Sequence, residues 1–232
     1  MARSGWINGF LGLVVIGGVS ASAYATPNRF WNNSNGSATY WDWANGGDDN
    51  GLFGDPLLVN GDTFLFFPSN FRAASAGQGQ VTKSDRIEVQ IFAHPNVTLG
   101  EILITEFGDY QITGSNGSVD VGADLRLSEI GGLGRLRTNT MNNEAPPMPQ
   151  TTGAGPWDGS VAVDLSFDFP EWTALTLELT DTLIAIAAPG TSASIEKTLT
   201  GAAVGITIIP EPASVALLAL GACGLIGRRR GK

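Results

Sequence analysis

The chain has 232 residues, with 13 Lys+Arg against 22 Asp+Glu and a formal net charge of −9. That acidic balance excludes a nucleic-acid binder working through a basic footprint, and a single Cys excludes both an intramolecular disulfide and a thiolate zinc site. Hydrophobic residues at 43% suffice for a packed core, while 31 Gly and only 15% charged residues point to many turns, as in an all-β secreted protein rather than a helical cytosolic enzyme.

Residues 1–25 carry the three parts of a secretory signal. Arg3 supplies positive charge, 10–19 form a short apolar run, and Ala23 and Ala25 flank Tyr24 in the small-x-small pattern of a signal peptidase site. A membrane anchor is the competing reading, but a run of about ten residues is half of the roughly 20 that a spanning helix needs. A signal helix, exported through the translocon and cleaved after Ala25, is therefore expected.

Residues 26–209 are expected to form one secreted all-β domain. Thr63–Phe67, closed by Pro68, reads as a short buried strand. Arg86–Phe92 alternates polar and apolar residues, which places Ile87, Val89 and Ile91 on one face. Further strands are predicted over 97–106, 109–113, 117–128, 160–169, 173–179, 181–188, 192–200 and 203–209, punctuated by Gly, Asn, Asp or Pro. No segment keeps a capped helical period. About ten short strands suit an antiparallel β-sandwich or jelly roll. The Gly-punctuated run 108–127 also fits a parallel β-solenoid, although no period of about 20–30 residues recurs across the body. The Pro/Gly-rich segment 142–159 reads as a long loop inside the domain, since too few residues follow it for a second core.

Three groups of residues in the body invite a chemical reading. Trp41 and Trp43, two apart, share one strand face with Tyr40 opposite; exposed, they form a platform for stacking on sugar rings, and buried, they are core. Asp48, Asp49, Asn50 and Asp55 are oxygen donors in a glycine-rich loop, suited either to Ca²⁺ or simply to turns. An EF-hand register fails, because its first and twelfth positions would fall on Gly46 and Leu57. Asp164, Asp168 and Glu171 lie close enough in sequence to raise a glycoside-hydrolase carboxylate pair, yet alternation with Leu165, Phe167 and Phe169 makes the two aspartates the solvent side of a strand. The one His, His94, precedes Pro95 in a predicted turn, a poor position for a triad. No enzyme activity and no cofactor are expected, with Ca²⁺ the one metal alternative.

The tail begins with Pro210, Glu211 and Pro212, which the two prolines keep extended and accessible. An uncharged run from Ala213 to Gly227 follows, then Arg228, Arg229 and Arg230. As a transmembrane helix this run is about 22 Å long against a hydrocarbon core of about 30 Å, and the arginines would stay on the cytoplasmic side. Gly221, Gly224 and Gly227 offer close approach to another membrane helix, or reflect only an Ala/Gly-rich composition. Cys223 in the same run reads as an inert buried thiol.

A Pro-Glu-Pro tripeptide, a short apolar helix and an arginine cluster in that order resemble the PEP-CTERM sorting signal, over residues 210–232. The resemblance implies processing by exosortase, a membrane-bound cysteine transpeptidase, with Pro210, Glu211 and Pro212 as recognition residues and Arg228–Arg230 holding the tail in the membrane. It implies a bacterial cell-surface or extracellular-matrix protein, tethered by its tail until processed. The opening of the body, with Trp41, Trp43, Pro56, Gly61 and Asp62, also resembles the first segment of many such surface proteins. Three functions follow as alternatives: a non-catalytic surface protein, an adhesion module binding Ca²⁺ or extracellular polysaccharide, and a secreted glycoside hydrolase.

Overall fold

The computed structural model describes residues 26–142, 144–197 and 203–211, and among these every regular element is a strand. The strands are β1 (Arg29–Phe30), β2 (Gly36–Ser37), β3 (Trp41–Asp48), β4 (Leu57–Val59), β5 (Thr63–Phe66), β6 (Arg72–Ser75), β7 (Gly79–Ala93), β8 (Leu99–Thr113), β9 (Gly117–Glu129), β10 (Leu136–Thr140), β11 (Ala154–Asp164), β12 (Ala174–Ala187), β13 (Ser192–Glu196) and β14 (Val204–Pro210). They form two antiparallel sheets, as expected for a sandwich and not for a solenoid.

The first sheet runs β1-β3-β7-β12-β9-β10, with β2 also on β3. The second runs β4-β5-β14-β8-β13-β6, with β11 also on β8. Strand β8 is long enough to serve three partners: β11 lies along 101–111, whereas β14 pairs with 99–106 and β13 with 109–113. Along β8, β13 and β14 occupy successive stretches, and residue 197 directly follows β13.

Alternation decides which side chains meet between the sheets. Ile87, Val89 and Ile91 of β7 are fully buried, as their spacing predicts, and stand opposite Leu179, Leu177 and Leu175 of β12. Ile102 and Ile104 of β8 and Ile206 and Ile208 of β14 face them from the second sheet. At one end Trp31, Trp41, Trp43, Phe64 and Phe66 pack edge to face, with ring centroids 5.2–5.8 Å apart, the geometry that ring quadrupoles favour.

Several boundaries differ from the sequence expectation. The pairs 97–106 with 109–113 and 173–179 with 181–188 are each one uninterrupted strand, β8 and β12. The segment 142–159 ends as strand from Ala154 onward. Strand β11 stops at Asp164, so Phe167 and Phe169 are not core residues but project from the following loop, 92% and 87% exposed.

Candidate functional site

The last described residues belong to the sorting segment, and they are docked. Strand β14 pairs with β8 from Val204↔Glu106 to Pro210↔Leu99, with a register shift between Ile209 and Pro210. Proline has no N–H for the ladder, so a bulge is the expected local response. Beyond it the Glu211 N–H donates to the Thr98 carbonyl at 3.0 Å. Gly100 makes room for this contact, since a Cβ there would lie 3.0 Å from Glu211 Cγ. Pro210 and Glu211 are therefore half-buried at the end of a sheet. Pro212, Arg228, Arg229 and Arg230, the C-terminal transmembrane helix, Cys223, and the signal segment with Ala23 and Ala25 lie outside the described residues.

The aromatic pair is core. Trp41 is fully buried and Trp43 nearly so, and both rings contact Phe64. They leave no exposed face for a sugar, while Tyr40, on the other side, is exposed.

The oxygen-rich loop is organised by backbone hydrogen bonds and ion pairs. The buried Asp85 carboxylate accepts N–H groups from Asp49, Asn50 and Leu52 at 2.7–3.1 Å. Asp49 pairs with Arg86 at 3.0 Å, and Asp55 accepts the Asn32 N–H at 3.1 Å and faces Arg29. Asp48 is buried, and its pKa is pushed up to about 6, first by burial and then by the Asp85 charge, against the Arg29 guanidinium. Asp48 and Asp55 share the Arg29 guanidinium, whereas Asp49 is taken by Arg86. Among the described residues no three His, Cys, Asp or Glu side chains converge as metal ligands.

Of the three carboxylates raised for hydrolysis, two are engaged by neighbours of their own. Asp164 accepts the Ser166 N–H at 2.9 Å, Asp168 accepts the Trp172 indole N–H at 2.7 Å and pairs with Arg137, and Glu171 is exposed. His94 lies 3.1 Å from Asp42 at the surface.

Sequence reasoning overlooked the most unusual side chains of the molecule. Glu106, Asp181 and Lys197 are completely buried together between the sheets. The available signal was alternation: Asp181 falls on the apolar side of Leu175, Leu177, Leu179, Leu183 and Ala185, and Glu106 follows Ile102 and Ile104.

Among known families, the PEP-CTERM protein-sorting motif matches residues 209–230. No curated protein matches the chain. Solved structures bear a remote likeness, two of them as follows. One is TmCBM61, a carbohydrate-binding module in complex with β-1,4-galactotriose, 10% identical, covering 78% of this chain and 99% of that one, with a TM-score of 0.27. The other is the infectious bursal disease virus VP2 subviral particle, 13% identical, covering 76% of this chain and 54% of that one, with a TM-score of 0.24. At such scores neither carries an argument about ligand or activity.

Proposed function

Because the chain carries the PEP-CTERM protein-sorting motif at residues 209–230, we infer that it is an exported precursor sorted to the cell surface and processed by exosortase, and that its β-sandwich body acts there without catalysis. The observation that carries this reading is the meeting of motif and fold: the motif starts at residue 209, and β14, the last strand of the body, ends at Pro210. The processing enzyme thus works at the edge of a folded domain. Releasing Glu211 from Thr98 breaks one neutral backbone hydrogen bond, worth about 0.5–1.5 kcal/mol, and strand ends open locally at low cost. The tripeptide can be presented while the inner pairs of β14 stay closed.

Intact-mass measurement of the protein from its native host tests the reading. The mature species is expected to lack Gly227–Lys232 only when exosortase is present, and changing Arg228, Arg229 and Arg230 to Ala is expected to leave precursor behind. A species that keeps those residues with or without the enzyme makes the tail a plain anchor and overturns the proposal.

A further inference from the structure

A hydrophobic core tolerates an ion pair only when the geometry is good and the remaining lone pairs are satisfied. The cluster between the sheets fails the second condition. It sets two carboxylates, Glu106 on β8 and Asp181 on β12, against one ammonium, Lys197 just after β13. Lys197 Nζ lies 2.7 Å from Asp181 Oδ2 and donates a hydrogen bond to Glu106 Oε2. Neither oxygen of Asp181 accepts an aligned hydrogen bond, despite that short approach, and Glu106 Oε1 has no partner either.

The surroundings are dry and aromatic. Nζ sits 5.5 Å from the ring centres of both Phe71 and Trp157. The Lys197 N–H donates to the Phe71 carbonyl at 2.9 Å, which aims the side chain inward. Gly108 opens space for the indole of Trp157: a Cβ there would lie 2.5 Å from its Nε1. Burial, together with the charge of Glu106, pushes Asp181 well above the usual carboxylate range against the pull of Lys197. Burial disfavours the Lys197 ammonium, but the two carboxylates outweigh it.

We propose that Lys197 and Asp181 condense into an intramolecular amide bond that ties the two sheets together, with Glu106 as the proton shuttle. Glu106 accepts along a hydrogen bond, as a base must. Asp181 has the same amine 2.7 Å from its Oδ2, so the nucleophile and the carboxyl carbon are already neighbours. Starting from the ammonium, the Glu106 carboxylate and the Asp181 carboxylic acid, Glu106 takes a proton from Nζ and the freed lone pair adds to Asp181 Cγ. The tetrahedral adduct loses the Asp181 hydroxyl as water: Glu106 protonates it, and the remaining Nζ proton in excess of the amide N–H returns to Glu106. The products are an amide, one water and a neutral Glu106, with no oxidation, reduction or co-reactant. The reaction removes every formal charge from the site, and the apolar shell keeps out the water that reversal requires. It uses residues within the body only, so it holds or fails independently of sorting.

Mass spectrometry of the full chain, purified and denatured, tests this directly. Trypsin is expected not to cut after Lys197, because an acylated lysine is no substrate. After cleavage at Glu178 and Glu196, the peptide carrying Asp181 and the one starting at Lys197 are expected to run as a single species, one water lighter than their sum. The Glu106→Gln variant is expected to show the two peptides separate. The Asp181→Asn variant can form the same amide by losing ammonia in place of water, so it checks the acyl donor without relying on Glu106→Gln to fold. Free Lys197 in the wild-type chain, or a branch through Glu106, overturns the proposal.

Discussion

At the scale of single residues, close packing explains positions that composition alone would class as turn formers. Gly46 lies in β3 where the pairing with β7 shifts between Ala44 and Gly47, and a Cβ there would stand 2.3 Å from the Trp31 ring. The sequence Asn45-Gly46-Gly47 reads as a loop, and its neighbours Trp41 and Trp43 read equally well as platform or core. What separates those readings is the partner ring at Phe64, which comes from another strand and leaves no trace in local spacing. Gly46→Ala is expected to destabilise the body by about 1–3 kcal/mol, the usual result of overpacking, measured by chemical denaturation. Asp181 carries the opposite lesson. Read locally, Thr180-Asp181 looks like a joint between two strands, because an unpaired carboxylate has no place in an apolar row. It is tolerated because Lys197 reaches it from the other sheet.

At the scale of elements, the merging of predicted strands has the same origin. Glu106-Phe107-Gly108-Asp109 resembles a turn, yet β8 passes through it because β11 pairs along the whole stretch and Trp157 covers Gly108. The period-2 faces of β9 and of 86–92 in β7 were legible, since their contacts repeat along the strand, whereas β7 begins earlier, at Gly79, and β12 was divided at Thr180. Short strands such as β1, β2, β4 and β6 were not, having two to four residues each and no periodicity to read. The β9–β10 hairpin is held by one carboxylate. Glu129 accepts the Leu133 and Arg135 N–H groups at 3.0 and 3.1 Å and pairs with the Arg135 guanidinium at 2.7 Å, while that guanidinium lies 4.6 Å over the Trp172 ring. These contacts, the Arg135 side-chain hydrogen bond first, lower the Glu129 pKa from 4.5 to about 2. A depressed folded-state pKa gives stability that is present above the unfolded value and lost as pH falls. Glu129→Gln is therefore expected to cost about 1.5–3 kcal/mol near neutral pH, the range for hydrogen bonds to a charged group. The difference from wild type should shrink as pH falls from about 4.5 towards 2, followed by thermal denaturation across that range.

At the scale of the whole molecule, charge and connectivity bear on what the processed protein is. The body, residues 26–209, holds eight Lys+Arg against 21 Asp+Glu, a net charge of −13, because five of the 13 basic residues lie in the terminal segments. A form trimmed to residues 26–209 is thus more acidic than the full chain, which disfavours anionic partners. The alternation of strands between sheets makes the fold depend on its last element. A chain ending at residue 203, without β14, is expected to lose the cooperative transition that a chain ending at residue 211 retains, as seen by near-ultraviolet circular dichroism and protease resistance.

The place of β14 also sets a timetable. A chain made and exported from its N-terminus delivers β5 and β8 early, yet both wait with open edges for the strand that fits between them. That strand emerges last, directly ahead of the sorting motif. Closure of the second sheet and arrival of the motif thus coincide, and the closed sheet then holds Glu211 on Thr98.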